Sequence, residues 1–476
     1  MNIIEVLEDR ALLGQFLRDP ETWAAWFAFL KGFFALEPTA TDLSIYRDCT
    51  GRTEWPSSPA SEAWVVAGRR SGKSYTIALL ATYLAAFKKY QLSAGETAHV
   101  IIVAPTKQQA GIIRSYISGF FEGNDILRPM VVRETGGEIE LRNRVSITIL
   151  SSDFRSVRGY SAVAAIVDEV AFLQSDGVSP DAEVIRALRP CLATTGGPVI
   201  AISSPYSRQG ALYAAWKAHF GKDGDPILVW QAASTRMNPT LKADMILRAM
   251  QEDPAGAESE WNATFRSDVE SFVSLEVVEA AVAPGRFELP PLGHIQYCGF
   301  TDPSGGGADS FTLAISHIEK DKRILDAVRE RRPPFSPEQV VQEYSELLKS
   351  YRCSVVVGDR YAGEWPREQF RKAGIEYIPS EKTKSELYLE LLPLLNSGKV
   401  ELLDNERLLG QLVHLERRTA RSGKDSVDHG PGQHDDLINS AAGALVGAQV
   451  PAKIDWDMVI VDTGFRSIGT QMEEPI

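Results

Sequence analysis

Short apolar segments alternate with amphipathic ones over most of the chain, beginning at Ala63. Four of these segments are apolar on both faces, which is typical of strands buried in a parallel sheet: Ala63–Ala67, His99–Ala104, Val163–Val167 and Val199–Ser203. Helical stretches separate them, so the pattern predicts an α/β unit with a mainly parallel sheet. Between the second and third strands, Glu138–Leu141 and Val145–Leu150 flank a polar turn and predict a β-hairpin.

Residues 1–60 have a helical pattern rich in aromatic side chains and predict a small helical segment with an apolar face. A second α/β unit is predicted from near Gly293. Its first three strands are closely spaced and predict an antiparallel meander, followed by a helix and a further strand: Gln296–Thr301, Phe311–His317, Arg323–Val328, Pro337–Tyr351 and Cys353–Gly358. Residues 266–292 contain two Pro-bearing turns and predict a linker. The last residues, 450–476, predict an exposed tail.

Composition narrows the class of protein. The 476 residues are 44% hydrophobic and 24% charged, which is ordinary for a globular protein, and the longest apolar runs are too short to cross a bilayer. The acidic N-terminus and four scattered cysteines predict a protein that stays in a reducing cytoplasm, without a disulfide framework or a zinc site. A net charge of −13 speaks against a passive DNA-coating protein, so a role on DNA needs support from specific motifs.

A phosphate-binding loop is predicted after the first strand, where Ala67 is followed by Gly68-Arg69-Arg70-Ser71-Gly72-Lys73-Ser74 and then by a helix. Strand, glycine-bearing turn, Gly-Lys-Ser and helix together are the context that a P-loop requires. Lys73 is expected to reach the β- and γ-phosphates of ATP, and Ser74 to hold Mg²⁺. The pattern departs from the usual P-loop at its first glycine, where this chain has Ala67.

Polar residues end the two later strands of the same unit. Asp168 is predicted to bind Mg²⁺ and Glu169 to polarise the water that attacks the γ-phosphate. Ser203 and Ser204 are candidates for sensing that phosphate and coupling it to movement, although a plain strand end is an equally good interpretation. Arg158, in the loop before the Asp-Glu strand, is a candidate arginine finger.

The second unit carries acids at three element ends. Asp302 and Asp359 each follow an apolar strand, and Asp435 and Asp436 precede a helix of small residues. Clustered carboxylates are costly unless a cation neutralises them, so the set predicts a site for two Mg²⁺ or Mn²⁺ ions that acts on a phosphodiester. The order of strands and acids is that of a ribonuclease H-like fold.

Basic residues near this acidic centre have two interpretations, a solvated face or a rim that grips phosphate: Lys382, Lys384, Arg417, Arg418, Arg421 and Lys424. The polar, glycine-bearing stretch from Arg417 to Gln433 predicts a flexible loop.

Over residues 50 to 450 these motifs together resemble the large terminase subunit of tailed bacteriophages. The resemblance is carried by the two sites above, by Tyr213 and Trp216, by Asn238-Pro239 and by His434-Asp435-Asp436. It implies an ASCE-type P-loop ATPase domain (61–265), preceded by a lid (1–60) and joined by the linker to a ribonuclease H-like nuclease domain (293–449). It implies ATP-driven translocation of double-stranded viral DNA into a prohead, and cutting of concatemeric DNA in the host cytoplasm.

The resemblance also implies partners and two residue roles. The partners are the portal protein, the small terminase subunit and further copies of the chain in a ring, expected to be pentameric during packaging, with a monomer as the state in solution. Arg158 matches the position of a trans-acting arginine finger. Asn439 stands where many relatives have an acid, which leaves the choice of metal ligand between Asp435 and Asp436 open, with Asp436 preferred.

Three other classes of protein compete with this interpretation. A two-lobe helicase would need a second motor lobe, and the second unit offers three acids instead of an arginine-rich helicase signature. An ATP-dependent helicase/nuclease of DNA repair or of a mobile element is the main alternative. A portal-associated structural protein with an inactive nucleotide site is disfavoured by the intact Lys73, Asp168 and Glu169.

Overall fold

The computed structural model describes residues 1–151, 159–173, 180–305, 309–359, 364–419, 425–430 and 433–447. Within this part of the chain no helix combines the length and the apolar character needed to span a bilayer.

The first unit contains ten α-helices and eight strands within the described residues. In chain order they are α1 (Ile3–Glu8), α2 (Ala24–Phe33), α3 (Ala40–Thr50), β1 (Glu62–Ala67), α4 (Lys73–Ala86), β2 (Ala98–Ala104), α5 (Lys107–Glu122), β3 (Val131–Glu134), β4 (Glu138–Leu141), β5 (Val145–Ser151), β6 (Ser161–Asp168), α6 (Pro180–Leu192), β7 (Val199–Ser203), α7 (Gly210–His219), β8 (Ile227–Ala232), α8 (Ser234–Met237), α9 (Ala243–Glu252) and α10 (Pro254–Asn262).

These eight strands form one sheet in the order β3-β4-β5-β2-β6-β7-β1-β8. The six strands from β5 to β8 in that order are parallel, and β3 and β4 add an antiparallel edge. The β4–β5 hairpin confirms the pattern-based prediction. One strand, β7, lies between β1 and β6, so that the carboxyl ends of all three meet at one edge, as expected for an ASCE-type ATPase.

The sheet is covered on both faces, which explains why its strands are apolar on both sides. One apolar cluster includes the aromatic N-terminal helices, with Trp26, Phe29 and Trp230 buried together. A second cluster on the other face includes Trp64, Val167 and Leu212. The N-terminal aromatic residues therefore belong to the main core of the first unit.

The second unit follows with six helices and nine strands among the described residues. They are β9 (Val269–Ser271), α11 (Leu275–Ala281), β10 (Tyr297–Asp302), β11 (Phe311–Glu319), β12 (Lys322–Arg331), α12 (Pro337–Ser350), β13 (Val355–Gly358), α13 (Glu364–Lys372), β14 (Glu376–Pro379), α14 (Lys384–Asn396), β15 (Val400–Glu401), α15 (Glu406–Val413), β16 (Leu415–Thr419), β17 (Asp425–His429) and α16 (Asp436–Gly447).

The main sheet of this unit has the order β14-β13-β10-β11-β12-β15. Strands β10 to β12 form the predicted antiparallel meander, and β13 is parallel to β10. Helix α16 packs across β10 and β11. This is a ribonuclease H-like arrangement, and it places the ends of β10 and β13 side by side.

A small antiparallel sheet of β9, β16 and β17 lies beside the main sheet. The prediction of a flexible loop from Arg417 to Gln433 is therefore wrong for the described residues, because β16 and β17 form an antiparallel pair there. Backbone hydrogen bonds hold these two polar strands together, and β16 also pairs with β9. Strand β9 lies within the stretch 266–292, which the sequence predicts to be a linker.

Candidate functional site

The P-loop lies at the carboxyl end of β1, where Gly72 takes a φ of +93° and α4 starts at Lys73. The Lys73 side chain is 6% exposed and its Nζ donates to Ser204 Oγ at 2.8 Å and to two carbonyl oxygens of the loop's start, at Ala67 and Gly68, at 3.2 Å each. Lys73 Nζ also lies 3.4 Å from Glu169 Oε1. The ammonium group thus lies where the P-loop, the β6 end and the β7 end converge.

The two predicted carboxylates of the first unit lie beside this lysine. Asp168 ends β6 and is 1% exposed, and Ser74 Oγ lies 3.4 Å from its Oδ2. Burial, and then the neighbouring Glu169, raise the pKa of Asp168. Within the described residues the buried Asp168 Oδ1 has no hydrogen-bond partner. A carboxylate and a hydroxyl placed in this way fit Mg²⁺, which prefers oxygen ligands.

Glu169 has a backbone φ of +45°, a conformation that is costly for a residue with a side chain. Its Oε2 accepts from Ser204 N at 3.1 Å and from Ser203 Oγ at 3.0 Å. Both serines bind the Glu169 carboxylate, and Ser204 also accepts from the Lys73 ammonium group. The structure brings these residues together with Asp168 as the sequence predicted.

The three predicted arginines of the first site, Arg69, Arg70 and Arg158, differ in what the structure describes for them. The Arg69 side chain is 58% exposed and pairs with Glu260 at 3.0 Å. Arg70 has a φ of +60°. Arg158, the predicted arginine finger, lies outside the described residues.

A cleft of about 610 Å³ in the second unit brings the predicted acids together. Asp302 ends β10, Asp359 follows β13, Asp435 immediately precedes α16, and Asp436 begins it. Because β10 and β13 are parallel neighbours, their carboxyl ends deliver two acids to one point, and α16 delivers the others from above the sheet.

Asn439 connects the acids from one turn further along α16. Its Nδ2 donates to Asp302 Oδ2 at 2.8 Å and lies 3.5 Å from Asp359 Oδ2. Burial, and then the charges of Asp359 and Asp436, raise the pKa of Asp302 to about 8. Burial also raises the pKa of Asp436. Carboxylates held in this way disfavour their own ionisation, which is the condition that a divalent cation relieves.

Asp435 and Asp436 have different surroundings in the same cleft. Asp435 is buried, with Lys384 Nζ 3.1 Å and Tyr388 Oη 2.9 Å from its Oδ2. Asp436 Oδ2 accepts from Ser310 N at 3.2 Å. A lysine and a tyrosine already stabilise the Asp435 carboxylate, whereas the Asp436 carboxylate accepts from a backbone N–H.

The predicted basic rim is largely paired within the chain. Each of its four described members contacts an acid: Lys382 with Glu390, Lys384 with Asp428 and Asp435, Arg417 with Asp425, and Arg418 with Glu416. Arg421 and Lys424 lie outside the described residues. Lys384 contacts the acidic site and Arg417 and Arg418 lie on β16 of the small sheet, and these four described residues form no unpaired phosphate grip.

Two side chains near the cleft were missed by the sequence reasoning. Asp428 and His429 lie at the end of β17, close enough to Asp435 for one ligand atom of each to fall within 4.8 Å of the others. The sequence pattern predicts a flexible loop where β17 lies, so it does not indicate that these two residues approach Asp435.

Fold and sites together define a P-loop α/β unit joined in one chain to a ribonuclease H-like α/β unit. Residues 65–267 match the family "Terminase large subunit, T4likevirus-type, N-terminal". The match covers less than half of the chain, and it agrees with the sequence resemblance over these residues. No curated protein sequence matches the chain.

Solved structures of large terminases are similar to the chain. The large terminase of bacteriophage HK97 has 17% sequence identity and a TM-score of 0.38, covering 87% of this chain and 95% of that one. The large terminase of a thermophilic bacteriophage has 10% identity and a TM-score of 0.38, covering 82% and 95%. The large terminase nuclease of another thermophilic phage, G20c, has 18% identity and a TM-score of 0.33, covering 37% and 98%.

Proposed function

We propose that this chain is the motor and nuclease subunit that packages viral DNA, hydrolysing ATP to move double-stranded DNA into a prohead and cutting concatemeric DNA. The observation that supports this most directly is that one chain has two separate phosphate-directed sites. Lys73, Asp168 and Glu169 meet at the edge of the parallel sheet, and Asp302, Asp359 and Asp436 meet in the cleft of the second unit. A plain ATPase needs only the first site and a plain nuclease only the second.

In the first site, the loop Gly68 to Ser74 binds the phosphates of ATP. Lys73 contacts the β- and γ-phosphates, and Ser74 and Asp168 hold Mg²⁺. Glu169 orients the attacking water, and Ser203 and Ser204 transmit the state of the γ-phosphate because they contact Glu169 and Lys73. Arg158 acts as a trans-acting arginine finger, a role that rests on the family resemblance.

In the second site, Asp302, Asp359 and Asp436, with Asp435 as the alternative, hold two Mg²⁺ or Mn²⁺ ions. Such ions, when bound, activate a water and stabilise the leaving oxygen of a phosphodiester. The raised pKa values of Asp302 and Asp436 and the shared cleft support a cation site. Asn439 holds Asp302 in place through its amide.

The wider setting follows from the same proposal. The partners are double-stranded DNA, the portal protein of the prohead and the small terminase subunit. Several copies, expected to be five, form a ring during packaging in the host cytoplasm. The division into a lid (1–60), an ATPase domain (61–265), a linker (266–292) that carries β9 and α11 of the second unit, a nuclease domain (293–449) and a tail (450–476) is proposed with it.

The proposal is tested by separating the two activities. We expect Lys73→Ala to abolish ATP turnover and to leave DNA cutting in Mn²⁺ intact, and Asp302→Asn to do the reverse. Lys399→Ala and Asp321→Asn are matched controls, since Lys399 is 48% exposed and Asp321 is 75% exposed, and their ion pair is 3.9 Å long.

The outcome also distinguishes the alternatives. Loss of cutting in both variants would contradict two independent sites, and no cutting by the native chain would contradict the nuclease assignment. Strand unwinding of duplex DNA, without packaging into proheads, would instead identify a helicase/nuclease of DNA repair or of a mobile element.

A further inference from the structure

Three successive carbonyl groups of the P-loop accept hydrogen bonds from side chains that lie outside it. Ser234 Oγ donates to Arg69 O at 2.7 Å, and Asn238 Nδ2 donates to Arg70 O at 2.9 Å. Trp26 Nε1 donates to the next carbonyl, that of Ser71, at 2.8 Å. The donors come from two distant parts of the sequence, helix α2 and the segment that begins with α8.

These bonds fix the direction of three amide groups. In a trans peptide the C=O of one residue and the N–H of the next point in opposite directions across the same plane. Carbonyls held outward by Ser234, Asn238 and Trp26 therefore turn the N–H groups of Arg70, Ser71 and Gly72 toward the inside of the loop. Within the described residues these three N–H groups donate no hydrogen bond. Inward N–H groups at a helix start are the groups that bind phosphate.

Each donor is itself held in place. Asn238 Oδ1 accepts from Thr240 Oγ1 at 2.7 Å and from Thr240 N at 3.2 Å, which leaves its Nδ2 directed at the loop. Trp26 is 1% exposed and packs in the aromatic core. Ser234 is fully buried, and a Cβ placed on Gly68 would come within 2.2 Å of its Oγ. The carbonyl oxygens of Glu260 and Trp261 would also lie 2.8 Å from that Cβ, so the glycine after Ala67 is required by the close packing of Ser234 and this backbone.

We infer that Trp26, Ser234 and Asn238 are positioning residues that orient the phosphate-binding N–H groups of the P-loop before nucleotide arrives. The inference rests on the proposed ATP site and assigns the helical N-terminal segment a part in it. Without these donors the loop's peptide planes are free to rotate, and binding must then supply the cost of ordering them. The effect therefore falls on phosphate binding rather than on the chemical step.

Two substitutions test this, each with a matched control in the same unit. Asn238→Ala is compared with Asn143→Ala, because Asn143 makes the same kinds of hydrogen bond away from the P-loop. Its Nδ2 donates to Ala85 O at 2.8 Å, and its Oδ1 accepts from Val145 N at 3.2 Å. Trp26→Phe is compared with Trp55→Phe, because Trp55 Nε1 donates to Leu36 O at 3.0 Å, away from the P-loop. Calorimetry measures the Kd of ADP and of pyrophosphate with Mg²⁺, and steady-state kinetics separates KM from kcat for ATP.

We expect each test variant to weaken both ligands by about three- to ten-fold and the double variant by more, since a single hydrogen bond contributes on this scale. The KM for ATP rises by a similar factor while kcat stays within about two-fold. The controls bind as the native chain does. Where Trp26→Phe lowers the thermal midpoint too far for binding to be measured, the half-buried Asn238 decides the question.

Native-like affinity for pyrophosphate in Asn238→Ala would overturn the inference, as would an equal loss in Asn143→Ala or a fall in kcat with unchanged KM. A native chain that binds neither ADP nor pyrophosphate would contradict the proposed ATP site itself. The two failures are thus distinguishable.

Discussion

The hydroxyl of Tyr206 donates a 2.7 Å hydrogen bond to Glu416 Oε2, joining the first unit to the second. Tyr206 follows the Ser203-Ser204 strand end, and Glu416 lies on β16 and is 8% exposed. Arg418 donates to the same carboxylate oxygen at 3.0 Å. Burial, and then the Glu416 charge, raise the pKa of Tyr206, so the hydroxyl stays a donor at neutral pH.

Tyr206→Phe is expected to destabilise the junction between the units by about 1–2 kcal/mol, because a hydrogen bond to a charged group is lost and Glu416 stays partly buried. Denaturant unfolding measures the change. Tyr116→Phe is the control, since that ring is 39% exposed. Equal stability of the two variants would mean that the hydrogen bond contributes nothing at the junction.

Ser203→Ala is expected to lower kcat for ATP by about ten-fold with nucleotide affinity nearly unchanged, because one of the two hydrogen bonds that orient the Glu169 carboxylate disappears. Ser259→Ala removes a comparable buried hydroxyl, one that donates to Pro205 O at 2.7 Å, and should have the smaller effect on kcat. Turnover that matches the native chain would remove Ser203 from its proposed role.

The pKa of Asp302 predicts how stability without metal depends on pH. Its value in the folded chain, about 8, lies above the ordinary 3.8, so between these values the folded state binds a proton that the unfolded state has released. The stability from this proton is complete below about pH 4 and is lost as pH rises through about 8.

Asp302→Asn removes this dependence. In EDTA, we expect the variant to gain thermal stability over the native chain as pH rises from about 5 to about 8.5, whereas the exposed Asp321→Asn shows no such trend. A difference between variant and native chain that stays constant over this range would show that Asp302 ionises normally.

Asn439→Asp places a further carboxylate where an amide now lies 2.8 Å from Asp302 Oδ2. In EDTA this variant is expected to unfold at a lower temperature than the native chain, because like charges meet in a half-buried cleft. Added Mn²⁺ should raise its midpoint by more than it raises that of the native chain.

Asn405→Asp is the matched control for that change. Asn405 caps α15 through a hydrogen bond from Leu408 N, a position at which Asn and Asp serve equally well. An Asn439→Asp variant with the same midpoint as the native chain in EDTA would argue that the cleft does not concentrate negative charge.

Local signals account for what the sequence predicted well. Continuous apolar runs, as in Val199–Ser203, and alternating ones, as in Glu138–Leu141, mark strands without reference to the rest of the chain, and the structure has these two with the same bounds. The convergence of Asp302 and Asp359 follows from a general rule, since neighbouring parallel strands end at the same edge. The catalytic roles of these residues stay predictions.

Non-local pairing accounts for what was missed. The hairpin β16–β17 has a polar sequence, and β9, far earlier in the chain, pairs with it. The residues next to Arg417 in the sequence therefore do not indicate that these strands form. Trp26 and Asn238 act through backbone carbonyls of the P-loop, which have no signature in the sequence. The same holds for Asp428 and His429, whose position depends on the hairpin.

The strand β9 also sets a limit on how the two halves can be taken apart. It is an outer strand of the small sheet, and among the described strands it pairs with β16 alone. A nuclease fragment cut at Gly293 would lose it and leave β16 with an unsatisfied backbone edge, a surface that invites association with other chains. A soluble, separately expressed fragment should therefore begin upstream of Val269.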